Sequence, residues 1–443
     1  METSSSLFSI EDYINKIGSF ELDLDDSKVC FEGTLFEHEN GKVIISGKTS
    51  VEIARLFDYR KSYRITGFID GQDFSFLNSI IRRAKYRSNI DSCIIELEPS
   101  EIVIGRKIIG DGKILVATME LPELSWFFTD RQFKETVVFN EGSPALLDYC
   151  FPDDICAEDH IGTLRISRVM NCEWGHSKVC YSSIPILTIE FKKPVSIINA
   201  REQIAKARNL FLFFADGYLP LHNICLADDK TSKDYCPDYC DFELVANSVE
   251  EYKIKDEPFF VTSDIVKSDF QSIWYRWSKL YSHKFISYLY FEVIRNRATW
   301  INRFLNFAQA IELFENIYRA DVLKKTTYGD REFKSCILDA LTQLQLSLAL
   351  DDEQIEIIAD SVKNARNYFT HYNSKHAEPS YHEVFSMSRV LNLVLIGLVY
   401  KKLGLPDHVI ENAKLSRDYS SFDRDVAVIL KKPIDNVDYN AFF

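Results

Sequence analysis

Two hydrophobic rhythms divide the chain. From Val29 onward, apolar residues fall in short β-branched and aromatic runs: CFEGTLF, KVIISGK, YRITGFID, CIIELEPSEIVIG, KILVATME and ETVVFN. Such runs predict strands, because a period of two sends alternate side chains to one face. Asn40-Gly41, Asp70-Gly71, Pro99-Ser100 and Asp111-Gly112 separate them. Asn-Gly and Asp-Gly tolerate positive φ and close tight hairpins. The pattern therefore predicts an antiparallel sheet or sandwich rather than a parallel sheet with crossover helices. A second β stretch covers 179–198. Asn199, with Glu202 three residues on, then predicts a capped helix running through Ile204, Arg208, Phe211 and Phe214 to Gly217. Residues 1–25 are polar and acidic and predict a loosely packed segment or a short helix.

Past a polar stretch at 226–262 the period changes to three and four, the mark of amphipathic helices. Trp274, Trp277, Tyr281, Phe285 and Tyr288 form one apolar stripe; Phe304, Phe307, Ile311, Phe314 and Tyr318 form the next. A third helix is predicted over 333–350. A fourth opens at Asp351 with Gln354 in the capping position. The last starts at Ser380 with Glu383 three residues on, and stops at Lys401-Lys402-Leu403-Gly404 before Pro406. Helices of this kind predict an up-and-down bundle with a seam for a partner. The chain reads as a multidomain α+β protein, with a β-rich sensing or regulatory domain at 1–262 and an all-α domain at 263–443.

Composition narrows the setting. With 443 residues, 46% of them hydrophobic and 27% charged, the chain can bury substantial cores. No apolar segment follows METSSSLFSIEDY, so no secretory signal is expected and the protein is expected to be soluble and cytoplasmic. The most apolar run, 390–400, is interrupted by Asn392 and is too short for a bilayer, so it reads as a buried helix. Ten cysteines in that setting are expected to be reduced thiols. The formal net charge of −14 excludes a bulk polyanion binder, so any nucleic-acid contact must rest on local positive charge. The stretch 274–303 offers it, with Arg276, Lys279, Lys284, Arg295, Arg297 and Arg303 against one acid, Glu292. These six are candidate RNA-binding residues or, alternatively, a solvated helix face. IIRRAKYR at 80–87 is a second basic patch.

Candidate chemistry lies at 361–372, SVKNARNYFTHY. Ile355, Ile358, Val362, Ala365 and Phe369 lead through it at helical spacing. Asn367 and His371 are one turn apart and share a face. Arg366 is five residues from His371, about 140° around the axis. The two converge only if the helix ends or distorts near Thr370, or if two copies of the motif meet. A converging pair suits phosphodiester chemistry: histidine moves a proton near neutral pH, and arginine holds a phosphate as charge develops. The alternative is an arginine and a histidine satisfying the last carbonyls of a helix.

His222-x2-Cys225 and Cys236-x3-Cys240, in the segment 222–240, have the donor types of a structural tetrahedral zinc site. Four unrelated residues give the same pattern, and Cys150, Cys156, His160, Cys172, His176 and Cys180 offer alternative ligands. The chain has no Walker-type G-x4-G-K-[ST], no G-x-G-x-x-G after a strand, no G-x-S-x-G and no H-E-x-x-H, which excludes the familiar nucleotide-hydrolase and zincin sites.

RNYFTHY after an amphipathic helix, inside an all-helical C-terminal region, resembles the R-x4–6-H motif of the HEPN superfamily. The arginine–amide pair and the aromatic-Thr-His-Tyr ending look most like its ApeA-like branch, bacterial proteins associated with phage defence. Gly33, Leu35, Phe36, Asn40, Gly41 and Lys42 resemble the N-terminal domain that accompanies that branch. The resemblance implies a HEPN-like bundle and a metal-independent endoribonuclease leaving 2′,3′-cyclic phosphate ends. It implies Arg366 and His371 as catalytic residues, with Asn367 beside them donating to a phosphate oxygen. Glu312, on a facing helix, would orient the histidine or pair with the arginine, and Tyr372 would stack on a base. It implies RNA as substrate, a homodimer or higher homo-oligomer with a composite site, a phage-derived trigger, no membrane, and a toxin-like role in abortive infection. A non-catalytic HEPN scaffold that binds a nucleotide or a protein is the competing expectation.

Overall fold

The computed structural model describes residues 10–432 apart from 25–26, 39–40, 56–57, 88–91, 106–112, 129–132, 137–145, 150–152, 175–178, 216–218, 220–221, 229–241, 247–258, 283–288, 290–298, 324–331, 372–377 and 417–418. The chain forms two compact units. The first takes in 1–125, 130–205 and 219–254; the second takes in 126–129, 206–218 and 255–443.

The first unit is β-rich. Its strands are β1 (Ile17–Leu24), β2 (Ser27–Glu37), β3 (Val43–Thr49), β4 (Tyr63–Ile69), β5 (Gln72–Arg87), β6 (Ser92–Glu98), β7 (Glu101–Ile104), β8 (Ile114–Glu120), β9 (Phe133–Thr136), β10 (Leu146–Tyr149), β11 (Ile155–Glu158), β12 (Gly162–Trp174), β13 (Val179–Val195), β14 (His222–Ala227) and β15 (Phe242–Ala246). A 13-stranded sheet runs β11-β12-β13-β8-β14-β15-β7-β5-β4-β1-β2-β3-β6, and β5 also pairs with β6. That extra pairing closes β1 to β6 into a barrel. The 16-residue β5 makes closure possible, because Phe74–Leu77 pair with β7 while Ile80–Arg87 pair with β6. Of the two antiparallel forms expected, sheet or sandwich, the sheet is present, with part of it closed into a barrel. β9 and β10 form a separate two-stranded hairpin.

The expectation for 1–25, a loosely packed segment or a short helix, is corrected in part: a single helical turn does form at Ile10–Tyr13, but a strand follows it. Ile17–Leu24 is a barrel strand paired with both β2 and β4. Its acidic residues hide a period of two, in which Phe20 and Leu22 are buried and Glu21 and Asp23 face outward. Inside the barrel, Phe20 packs on Phe31 and Phe76 with ring centroids 5.4 and 5.8 Å away. Gly47 lies against the Phe31 ring, leaving no room for a side chain. Asp70 and Gly71, with φ of 48° and 84°, form the two-residue turn between the paired Ile69 and Gln72, as the Asp-Gly signal requires.

Helix α1 (Ile197–Ala215) starts before Asn199. The Ser196 hydroxyl accepts from the Asn199 amide at 3.2 Å, so serine rather than asparagine is the cap. Residues 206–215 of α1 belong to the helical unit, where Phe211 and Phe214 pack on Phe127.

The helical unit further contains α2 (Phe270–Tyr281), α3 (Trp300–Leu323), α4 (Phe333–Gln343), α5 (Asp352–His371), α6 (Tyr381–Leu403), α7 (Asp407–Leu415) and α8 (Phe422–Ile429). The segment predicted as one helix over 333–350 breaks after α4 and ends in a short turn, Gln345–Leu348, closed by Ala349 at φ 56°. Helix α6 is the hub, packing against α2, α3, α4, α7 and α8. Among the described residues it alone is long and apolar enough to cross a membrane by length and composition, and most of its apolar window is buried within the structure. Its N-terminus carries the predicted Ser380–Glu383 capping box and its C-terminus the predicted Gly404, at φ 81°. The Tyr400 hydroxyl donates to the Phe213 carbonyl at 2.6 Å, and Trp277 Nε1 to the Lys206 carbonyl at 2.8 Å, which removes the cost of burying both polar groups. Asp425, 3% exposed, accepts from Arg389 Nε at 2.8 Å and from the Ser386 and Ser421 hydroxyls at 3.1 Å, tying α6 to α8.

Candidate active site

Helix α5 is set by its sequence at both ends. At its start Asp351 and Gln354 cap one another reciprocally at 2.9 and 2.7 Å. Ile355, Ile358, Ala359, Val362 and Ala365 form its buried face, which packs mainly on α4 and also on α3 and α8. The helix continues through Thr370 to His371, its last residue. Thr370 Oγ1 donates to the Arg366 carbonyl at 2.7 Å, four residues back, so the final turn is intact. Arg366 and His371 therefore stay about 140° apart on one regular helix, and within a single chain they do not converge.

Arg366 stands at the edge of the buried face. Its Nη2 donates to the Glu312 carboxylate on α3 at 2.9 Å, with side chains 29% and 23% exposed. Its guanidinium carbon lies 4.2 Å from the centroid of Phe333, the first residue of α4. The carboxylate and the ring hold the guanidinium from two directions. Arginine has five N–H donors in a planar fork, and one contact of Nη2 leaves donors for a second oxygen ligand. His371 is exposed and Asn367 half-buried on the adjoining face. Glu312 thus takes up one of the two roles the resemblance implied, pairing with arginine rather than histidine. Phe333 was not legible as a site residue; only the α4–α5 contact reveals it.

The other candidates scatter. Tyr372, Lys284, Arg295 and Arg297 lie outside the described residues. Arg276 has a structural use: its Nη1 donates to the Leu403 carbonyl at 2.7 Å and its guanidinium lies against Gly404, closing the C-terminus of α6. Lys279 sits 4.4 Å over the exposed Tyr275 ring, and Arg303 sits 4.6 Å over Trp300. His222 and Cys225 occupy β14 opposite Glu120 and Thr118 of β8, with a register shift between them. Cys236 and Cys240 lie outside the described residues. Among the described residues no cluster of histidine, cysteine or carboxylate side chains suits a metal ion.

Comparison with known families gives two matches. The family described as ApeA N-terminal domain 1 matches residues 15–277. The family described as Apea-like HEPN matches residues 302–409, a span that holds Glu312, Phe333, Arg366 and His371. No curated protein and no solved structure matches the chain.

Proposed function

The chain belongs to the ApeA-like HEPN family, and from that premise we propose that its helical domain is a metal-independent endoribonuclease. Membership points to a nuclease-like defence effector; the step to RNA rests on the Arg366 site. The observation that carries it is the guanidinium clamped by Glu312 and Phe333, five residues before an exposed histidine at the end of the same helix. Arginine oriented in this way stabilises a developing phosphorane, and histidine moves the proton.

In the proposed reaction a ribose 2′-hydroxyl loses its proton to His371 and attacks the adjacent phosphorus. The 5′-oxygen of the next nucleotide leaves with a proton from a second histidine, giving a 2′,3′-cyclic phosphate and a 5′-hydroxyl. Because Arg366 and His371 diverge on α5, the reaction calls for two chains, each contributing one motif to a shared cleft. A closed two-fold dimer supplies that geometry with a self-complementary interface. Asn367 would hold a phosphate oxygen, and Arg303 and Lys279 would contact the RNA backbone. A structural zinc at His222, Cys225, Cys236 and Cys240 would stabilise the β-rich unit and take no part in cleavage. In this reading a phage-derived component triggers the effector, whose RNA cleavage arrests the infected cell.

A scaffold reading is favoured by one observation, that Arg366 is already ion-paired within the chain. Incubation of the purified protein with RNA and a chelator, followed by mapping of the ends, decides between them. The enzyme reading expects cyclic phosphate ends that disappear with Arg366→Ala and His371→Ala; unchanged RNA from active-concentration protein overturns it.

A further inference from the structure

Aromatic rings line the end of the bundle at which α3 begins, α5 ends and α6 begins. On α5, Tyr368 meets Phe369 with centroids 5.3 Å apart, and Phe369 meets Phe304 of α3 at 6.3 Å. One turn back on α3, Trp300 meets Phe385 of α6 edge-on at 4.4 Å. One turn back on α6 stands Tyr381, 57% exposed, beside the exposed His382. The i, i+4 spacings of Trp300 with Phe304 and of Tyr381 with Phe385 keep each pair on one helix face. A row of rings thus leads from the turn before His371 to an exposed tyrosine.

The innermost ring of this row, Phe304, is a core residue. The outer ones keep surface open to solvent: Tyr381 is exposed, and Trp300, Tyr368 and Phe385 are half-buried. Positive charge accompanies them, with the Arg303 guanidinium 4.6 Å over Trp300. Two acids stand near the start of α6: Glu383 is engaged in the Ser380 capping box and with Lys431 at 3.4 Å, and Glu378, three residues before Tyr381, is exposed. In a chain of net charge −14, a local combination of rings and cations is what separates a nucleic-acid path from the surrounding repulsive surface.

We propose that this row is a base-stacking platform, on which Tyr381 and Trp300 carry unpaired bases of the RNA strand flanking the bond presented to His371. The proposal rests on the ribonuclease reading and adds the residues that would hold the substrate. Stacking on a ring face tolerates any base but demands an unstacked one, so the platform selects single-stranded segments over duplex.

The test uses the full chain in a His371→Ala background, so that RNA stays intact, with a labelled single-stranded oligoribonucleotide as probe. Tyr381→Ala is expected to weaken binding about 5- to 150-fold, the range for losing one stacked base. Tyr381→Phe should retain parental affinity. The slope of log affinity against log salt should not change in either variant, because no phosphate contact is lost. Quenching of tryptophan fluorescence on RNA addition should weaken with Trp300→Leu. Parental affinity in Tyr381→Ala, or a slope lower by about one unit, overturns the platform while leaving the ribonuclease reading intact. Altered sedimentation of Tyr381→Ala with unaltered RNA affinity overturns it in favour of self-association at this face. A His371→Ala chain that binds no RNA overturns both readings.

Discussion

Removing the charge from Glu312 tests the arginine clamp directly. Glu312→Gln keeps the side-chain shape, while Arg366→Gln removes the guanidinium together with its stack on Phe333. At an effective dielectric of about 20, unit charges about 4 Å apart attract by about 4 kcal/mol. Exposure of 29% and 23% for the two side chains admits solvent and screening, which brings the net coupling to roughly 1 kcal/mol. The assay is urea unfolding of the single and double variants, since guanidinium chloride would screen the interaction. Tryptophan emission reports mainly on the right unit: Trp126, Trp274, Trp277 and Trp300 lie in the helical unit and Trp174 in the β-rich one. The cycle is expected to return a coupling of about 1 kcal/mol, shrinking in high salt. RNA cleavage should fall in Glu312→Gln less than in Arg366→Gln, and the double variant should be no worse than Arg366→Gln. Stability effects that add within about 0.3 kcal/mol would refute the clamp.

Three further outcomes follow from the packing. Asp425→Ala removes the carboxylate that accepts from Arg389 and Ser386, while Arg389 keeps its bond to Ser421, and is expected to destabilise the helical unit by roughly 1.5–3 kcal/mol in urea unfolding, a loss below about 1 kcal/mol counting against the network. Gly404→Ala forces a side chain into positive φ and against Arg276, and should lower stability by roughly 1 kcal/mol or more, whereas Gly71→Ala, with nothing near its Cβ, carries only the backbone part. Burial pushes the Glu101 carboxyl above its ordinary value, against the pull of Arg201; a raised folded pKa means a contribution fully present below the unfolded pKa and lost as pH rises through the folded one. Glu101→Gln should therefore gain thermal stability over the parent at neutral pH, with the difference closing as pH falls toward the ordinary carboxylate range, and an equal melting temperature at both ends would contradict the burial argument.

The sequence made local signals visible and left long-range ones hidden. Ser380 with Glu383, Asp351 with Gln354, Asp70-Gly71 and Gly404 each act within a few residues, and the structure has all of them. β1 is hidden in the sequence because its outward residues are acidic, so its alternation reads as general polarity. Closure of the barrel depends on β5 changing partner along its length, with a register shift between Ile81 and Arg83 that no local pattern announces. At the candidate site, the helix that carries Arg366 and His371 is legible from its apolar spacing. Phe333 and the use of Arg276 as a helix cap depend on contacts 33 and 127 residues away in sequence, as 366 − 333 and 403 − 276 give. The helix was expected to end or distort near Thr370, or else to meet a second copy; its continuity to His371 removes the first option.

That continuity makes subunit mixing the most direct measurement of the whole account. Arg366→Ala and His371→Ala chains are each expected to leave RNA uncut when assayed alone. Mixed under conditions that allow subunits to exchange, they should recover part of the parental cleavage, because a shared cleft then holds one intact arginine and one intact histidine from different chains. A mixture that stays inactive while light scattering confirms exchange, or a strictly monomeric parent that cleaves RNA at full rate, would contradict the composite site.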